Sequence, residues 1–155
     1  IAYKPVSLIM LVPVWIAAFL LLRPAFGGDW ITITLFVPAV SAAILLSFLI
    51  GSLFAMLAFW TTRSFSFWEI WMGLLFLIGG QVAPVAVLPG FVRNLATALP
   101  ARYALGFPVE VVLGRLDEAE LALGFAIQAA WIAVAALAFV IVWRSGIKRY
   151  SAVGA

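Results

Sequence analysis

The chain has 155 residues, of which 67% are hydrophobic and only 10% are charged. Soluble domains average about 45–50% apolar and about 25% charged residues, so a water-soluble globule of this size cannot hide so much apolar surface. Disorder is excluded as well, because disordered segments combine low hydrophobicity with high net charge. The composition therefore predicts a membrane protein whose main solvent is lipid.

Several kinds of chemistry are excluded by the residues that the sequence lacks. It contains no cysteine and no histidine, which rules out disulfide frameworks, thiolate nucleophiles, Cys/His zinc sites and histidine bases. No P-loop motif occurs either. The net charge of +3 comes from nine scattered cations that form no basic patch, so we expect no nucleic-acid partner. We predict no enzyme activity and no cofactor or metal bound by this chain.

Four uncharged stretches are long enough to cross a membrane as helices, since a span needs about 20 apolar residues for about 30 Å of hydrocarbon. The predicted spans are residues 6–22, 38–60, 70–88 and 121–143. The short stretch 31–34 before the second span is placed at the membrane interface. Because the sequence starts at Ile1 rather than Met, we expect it to continue a longer chain. The predicted fold is an all-α integral membrane protein.

The orientation follows from the cations that flank the spans. Arg144, Lys148 and Arg149 cluster after the last span, and such clusters face the cytoplasm. The carboxyl terminus is therefore predicted to be cytoplasmic. Four crossings place the start of the sequence on the same side and make the protein multi-pass.

Between the third and fourth spans, residues 84–114 are too apolar for a free loop and too interrupted for a span. Pro89 suits the first turn of a short helix, Pro100 ends it, and a second short helix starts near Pro108. In the first helix, residues 91, 92, 95, 98 and 99 share an apolar face. We favour an external re-entrant helical hairpin packed against protein; the alternative is an amphipathic helix on the outer leaflet. The residues assigned to the hairpin are Pro84, Pro89, Gly90, Phe91, Pro100, Tyr103, Pro108 and Gly114.

A stripe of small residues follows one face of the second span, at positions Ala43, Ser47, Gly51 and Ala55. Small residues four apart let the backbones of two membrane helices approach closely. The neighbouring helix belongs either to this chain or to another subunit, with the same chain as the default.

No predicted span contains Asp, Glu, Lys or Arg, although proton relays and ion-coupled carriers usually depend on such groups. Energy for transport would therefore come from another subunit. Two glutamines, Gln81 and Gln128, lie at depths that agree within about one helical turn. Either both face a polar interior, bonding each other or lining a pathway, or each makes an interhelical hydrogen bond without a transport role.

Several stretches occur in an order and spacing that is more specific than any one of them. In chain order they are Phe59-Trp60-Thr61-Thr62-Arg63, Gly80-Gln81-Val82-Ala83-Pro84, Leu88-Pro89-Gly90-Phe91, Leu99-Pro100-Ala101-Arg102-Tyr103, Phe107-Pro108-Val109-Glu110-Val111-Val112-Leu113-Gly114, Trp143-Arg144 and Lys148-Arg149-Tyr150-Ser151-Ala152-Val153-Gly154. From about residue 59 to its end, the sequence resembles the membrane subunit of type-2 ATP-binding-cassette (ABC) exporters, the bacterial ABC-2 family permeases.

The resemblance implies six transmembrane helices with a re-entrant hairpin between the fifth and sixth. The four predicted spans would be the third to sixth helices, and the main coupling helix would precede this sequence. The internal loop 61–69, which contains Arg63 and Glu69, would then be a minor contact with the ATPase.

The resemblance also implies the partners and the location. Two copies of an ABC ATPase would bind ATP and magnesium, and a second permease subunit, the same or different, would complete the pathway in the bacterial plasma (inner) membrane. A substrate would move out of the cytoplasm between the permeases. A hydrophobic or amphipathic substrate would suit a pathway lined by Phe, Leu and small residues. The alternative function is a non-transporting membrane anchor or scaffold in a larger complex.

Overall fold

The computed structural model describes residues 30–61, 63–79 and 88–151, and regular structure in this part of the chain is helical throughout. The predicted span 6–22, Gln81 and Pro84 lie outside the described residues. The helices described below therefore begin with the second predicted span.

Two long helices form the frame of the structure. Helix α1 comprises Trp30–Met56 and continues into a short 3₁₀ turn at Leu57–Phe59. The last helix, named α5 below, comprises Glu118–Ser151. The segments Ile31–Phe59 and Glu118–Lys148 are both long and apolar enough to cross a membrane. Large apolar side chains cover their outer faces, which suits contact with lipid rather than water.

The helices extend beyond the predicted spans. Helix α1 begins at Trp30, so the stretch that we placed at the membrane interface is helical. The predicted span 121–143 lies wholly inside α5, which continues past it with Arg144 and Lys148. Neither extension contains a proline, and residues 31–37 contain no glycine either. The extension of α5 contains only Gly146, and a single glycine lowers helix stability without ending the helix.

Helix α2 comprises Ser64–Ile78 and packs beside α1. Trp68 and Trp71 of α2 both contact Phe54 of α1, with ring centroids 6.4 Å and 6.3 Å from that of Phe54. Relative to the predicted span 70–88, the helix starts six residues earlier and ends at Ile78, and residues 80–87 lie outside the description. Its length, about 22 Å, is shorter than the hydrocarbon layer.

Two short helices follow before α5. Helix α3 comprises Gly90–Ala98 and helix α4 comprises Phe107–Val112, with a π-helical turn at Arg102–Gly106 between them. Leu99 ends α3 in an extended conformation (φ −84°, ψ 150°), because the residue before a proline avoids the α region.

The inward face of α3 differs from the predicted apolar face. Ala96 is fully buried and packs with Ile78, whereas Phe91 is 81% exposed and Leu95 is 43% exposed. A helical projection puts Ala96 beside Val92 and Leu99 at the edge of the apolar face. The apolar face of α3 is therefore divided between protein and the surroundings.

Helices α1 and α5 run parallel to each other. Near one end, Gln128 of α5 contacts Ala39 of α1, and near the other, Gly146 of α5 meets Phe59. From 39 to 59 and from 128 to 146 the helices rise about 30 Å and about 27 Å. Between them the chain returns through α2, whose end at Gly79 contacts the π turn.

Candidate functional site

The most distinctive polar residue of the described membrane helices is Gln128, in α5. Its side chain is 1% exposed among apolar neighbours. The Nε2 amide donates one hydrogen bond to the Ala39 carbonyl of α1 (3.1 Å) and one to the Tyr103 carbonyl of the π turn (3.0 Å). A single side chain thereby joins α1, α5 and the segment that connects α3 to α4.

The Tyr103 carbonyl requires this donor because of the local backbone register. The N–H of Phe107 donates to the Arg102 carbonyl, five residues back, which is the π-helical pattern. In that register the N–H directed at the Tyr103 carbonyl would come from Pro108, which has no N–H. Gln128 supplies the missing donor across 25 residues of sequence.

The second polar atom of the Gln128 amide is left unpartnered. Its Oε1 is buried and accepts no hydrogen bond from the residues that the structure describes. A buried acceptor in this state costs about 1–3 kcal/mol, and such atoms mark places where a water, a ligand or another side chain binds. Pairing of Gln128 with Gln81 stays a prediction, and the bonds that are observed are interhelical.

Aromatic packing encloses Gln128 on the side of the π turn. Tyr103 and Phe107 are each 1% exposed, and the Tyr103 hydroxyl donates to the Thr97 carbonyl at 2.9 Å. Burial raises the pKa of the Tyr103 phenol above its ordinary value, so the hydroxyl stays protonated and acts as a donor. The Phe107 ring lies directly on Gly124, where a Cβ would overlap the ring.

An ion pair closes the same segment. The guanidinium of Arg102 donates from Nη2 and Nε to one oxygen of Glu110, at 2.7 Å and 3.2 Å. Both side chains are under one fifth exposed. Because they are eight residues apart, the pair holds the π turn against α4.

The comparison with protein families decides what this helical arrangement belongs to. A family model described as "ABC-2 family transporter protein" matches residues 4–154. The chain belongs to the ABC-2 transporter family. No curated protein and no solved structure matches it significantly. The chain is therefore a membrane-embedded permease component of an ABC transporter, and its family implies partnership with an ABC ATPase.

Within this ABC-2 permease, the small-residue stripe is partly covered by the chain itself. Ala43 is buried, and a Cβ at Gly51 would lie 3.3 Å from the Trp68 ring of α2. Ser47 is half-buried and Ala55 is exposed. The neighbour of the stripe at Gly51 is thus intramolecular.

The remaining predicted residues are spread over two ends of the permease. Pro89 and Gly90 begin α3 and are exposed. Gly114 has φ 62°, a left-handed conformation that favours glycine and ends α4. At the other end, Arg63 and Glu69 are exposed at the start of α2.

Sequence reasoning missed three contacts, two of them beside the site and one, at Gly146, about 27 Å away along α5. Gly124 and Gly146 admit the rings of Phe107 and Phe59 against α5, and the Trp131 indole N–H donates to the Ala98 carbonyl at 3.1 Å. For the two glycine contacts, the available signal was a glycine inside an otherwise unbroken apolar helix, which indicates close approach of another group.

Proposed function

We propose that this ABC-2 chain is a permease subunit of an ATP-driven exporter. With a second permease, the same or different, it forms the path by which a hydrophobic or amphipathic substrate leaves the cytoplasm. Two ABC ATPase subunits bind ATP and magnesium and drive the movement. The observation that carries the proposal is the family match over residues 4–154, joined to the chemistry of the described helices.

That chemistry supports an external energy source. No charged residue occurs in α1, and none occurs in α5 between Glu120 and Arg144. In this described part of the chain, the buried polar residue is the neutral Gln128. A carrier that couples transport to protons needs membrane-embedded ionisable groups. Neutral, apolar helices suit a protein moved by a partner ATPase.

The packing of helix ends supports the proposed topology. Phe59, after α1, contacts Trp143 of α5 with ring centroids 6.4 Å apart, and Gly146 also receives the Phe59 ring. The loop after α1 thus lies beside the basic end of α5, which the positive-inside rule places in the cytoplasm of a bacterial inner membrane. The exposed Arg63 and Glu69 then face the side on which the ATPase binds.

The helices of the opposite end form the proposed external hairpin. The π turn packs on both α1 and α5, and α4 packs on α1, which supports a segment shielded by protein rather than one lying free on the leaflet. Helix α3 leaves Phe91 exposed, so we place this edge of the hairpin toward lipid or the second permease.

The test is to purify the full-length tagged permease with its ATPase and reconstitute the complex in liposomes. We expect the ATPase to copurify and substrate movement to require ATP, while an ionophore that collapses the proton gradient has no effect. An ATPase variant without its P-loop lysine serves as the matched control. Copurification without ATP-dependent movement would instead indicate the anchor or scaffold function, and movement that survives ATP depletion would exclude the exporter.

A further inference from the structure

A cavity of about 380 Å³ lies between the first turns of α5 and the segment from α3 to the π turn. Its size falls in the range of small-molecule pockets, about 300–1,000 Å³. Residues that line the cavity include Thr97, Arg102, Tyr103, Glu120, Leu123 and Ile127. The cavity is distinct from the buried amide of Gln128 and lies at the end of the molecule opposite Arg144.

The lining of this cavity presents groups of both charge signs. Arg102 donates two of its five guanidinium N–H groups to Glu110, which leaves other N–H groups to donate to a second acceptor. Glu120 is exposed and accepts one hydrogen bond at Oε2 from the Asp117 backbone N–H. One end of a ligand can therefore be bound as an anion and the other as a cation.

The charge balance favours a neutral, dipolar ligand over an anion. Arg102 is already paired with Glu110, which lies outside the lining. Arg102, Glu110 and Glu120 together therefore carry one net negative charge. A purely anionic headgroup is repelled by this net negative charge, whereas a zwitterion can pair its own ammonium with Glu120.

The cavity continues into an apolar groove on α5. Ile127 lines both the cavity and a groove of about 310 Å³, whose other walls include Ala130, Trp131 and Val134. The hydrogen bond from Trp131 to the Ala98 carbonyl fixes one wall. From Glu120 to Val134 the helix rises about 21 Å, which exceeds half of the hydrocarbon thickness of about 30 Å.

We infer that the cavity and the groove together form a binding site for one zwitterionic phospholipid. Its phosphate accepts hydrogen bonds from Arg102, its ammonium pairs with Glu120, and an acyl chain follows the groove past Ala130. The order along α5, polar first and apolar after it, matches a lipid in a leaflet. The inference deepens the proposed function. The binding site is argued from the cavity and the groove, and only the idea that the bound lipid is transported rests on the proposed function.

The experiment measures lipid retention by the full-length permease–ATPase complex, purified without ATP. The complex is exchanged into micelles containing equal amounts of phosphatidylethanolamine and phosphatidylglycerol, and the retained lipids are quantified by native mass spectrometry. We expect phosphatidylethanolamine to be enriched. Glu120→Gln should lower the enrichment about twofold to fivefold, the effect of losing an exposed ion pair. Glu118→Gln, in the same first turn but outside the lining, should leave it unchanged.

A second pair of variants tests the groove. Ala130→Trp fills the groove and should reduce retention of both lipids at least about fourfold, which is the contribution of one buried CH₂ group. Ala133→Trp, at an exposed position outside the lining of the groove, should not. Folding is checked by helix content and by ATPase copurification. Glu120→Gln also keeps a side-chain oxygen that can accept from the Asp117 backbone N–H at the start of α5.

Equal retention of the two lipids by the unmodified complex would overturn the inference, as would equal effects of Glu120→Gln and Glu118→Gln. Selective retention without any ATP-dependent movement in liposomes would uphold the site and refute the exporter. ATP-dependent movement with no lipid preference would refute the site and leave the exporter standing. The two failures are therefore distinguishable.

Discussion

The role of Gln128 as a substitute donor can be tested by replacing it with leucine, which keeps a similar volume. The Ala39 carbonyl retains the backbone donor of its own helix, whereas the Tyr103 carbonyl loses the donor that Pro108 cannot supply. An unpaired buried carbonyl costs about 1–3 kcal/mol, while measured interhelical bonds in membranes average about 0.6 kcal/mol and reach about 1.7. Leucine also removes the unpartnered Oε1 of Gln128, which offsets part of the loss. We expect a net destabilisation of about 1 kcal/mol.

Pro108→Ala supplies the decisive comparison. An alanine at this position has an N–H, and in the π register that N–H reaches the Tyr103 carbonyl. In the Pro108→Ala background, Gln128→Leu should therefore cost close to nothing. The loss of the proline ring from a buried position affects single and double variants alike, so a double-mutant cycle removes it.

The assay is equilibrium unfolding of the purified permease in mixed micelles, followed by tryptophan fluorescence, for the unmodified protein, both single variants and the double variant. We expect a coupling free energy of about 1 kcal/mol. If the two substitutions add within about 0.3–0.5 kcal/mol, which is the behaviour of independent sites, then Gln128 is not replacing the donor that Pro108 lacks. The explanation of the π turn would then be wrong.

Three further outcomes can be measured by the same unfolding assay. Gly124→Ala forces its Cβ into the Phe107 ring and should destabilise the permease by about 1–3 kcal/mol. Gly73→Ala, whose Cβ meets nothing within 4 Å, is the control and should stabilise α2 by up to about 1 kcal/mol. The same unfolding titration checks both variants, and equal effects would contradict the contact between Gly124 and Phe107. Tyr103→Phe removes the hydrogen bond to Thr97 and should cost about 0.5–1.5 kcal/mol. Because burial raises the pKa of Tyr103 in the fold, its contribution is complete below about pH 10 and is lost as pH rises through the folded pKa. An alkaline loss of stability that persists in Tyr103→Phe would show that another group causes it.

The position of Gln128 was predictable, but its partners were not. A single polar residue in a long apolar span must find a hydrogen bond, so the sequence identified it. Its bond to Tyr103 depends on a π register, which is visible only when the N–H of Phe107 is traced to Arg102. Pro108 was recognised as the start of a helix, and its missing N–H acquired meaning only in three dimensions.

Helix α3 illustrates a different limit of sequence reasoning. Its bounds, between Pro89 and Pro100, follow from proline geometry and agree with Gly90–Ala98. The face that packs could not be predicted, because in a membrane both the protein-facing and lipid-facing sides are apolar. Ala96 is buried because it is small enough to approach Ile78, and size rather than hydrophobicity selects such contacts.

The contacts also indicate which parts of the permease move together. Helices α1 and α5 are joined near one end by the Gln128 bond to Ala39 and near the other by the Phe59 ring on Gly146. Two anchors about 27 Å apart along α5 oppose rotation of one helix against the other, so we expect α1 and α5 to act as one body. On the proposed ATPase contact at Arg63, near the Phe59 end, we expect force to pass along this pair to Tyr103 and the π turn. The bond between Gln128 and Tyr103 joins this pair of helices to the π turn of the proposed external hairpin. We therefore expect loss of the bond to lower the stability of the permease before it alters transport.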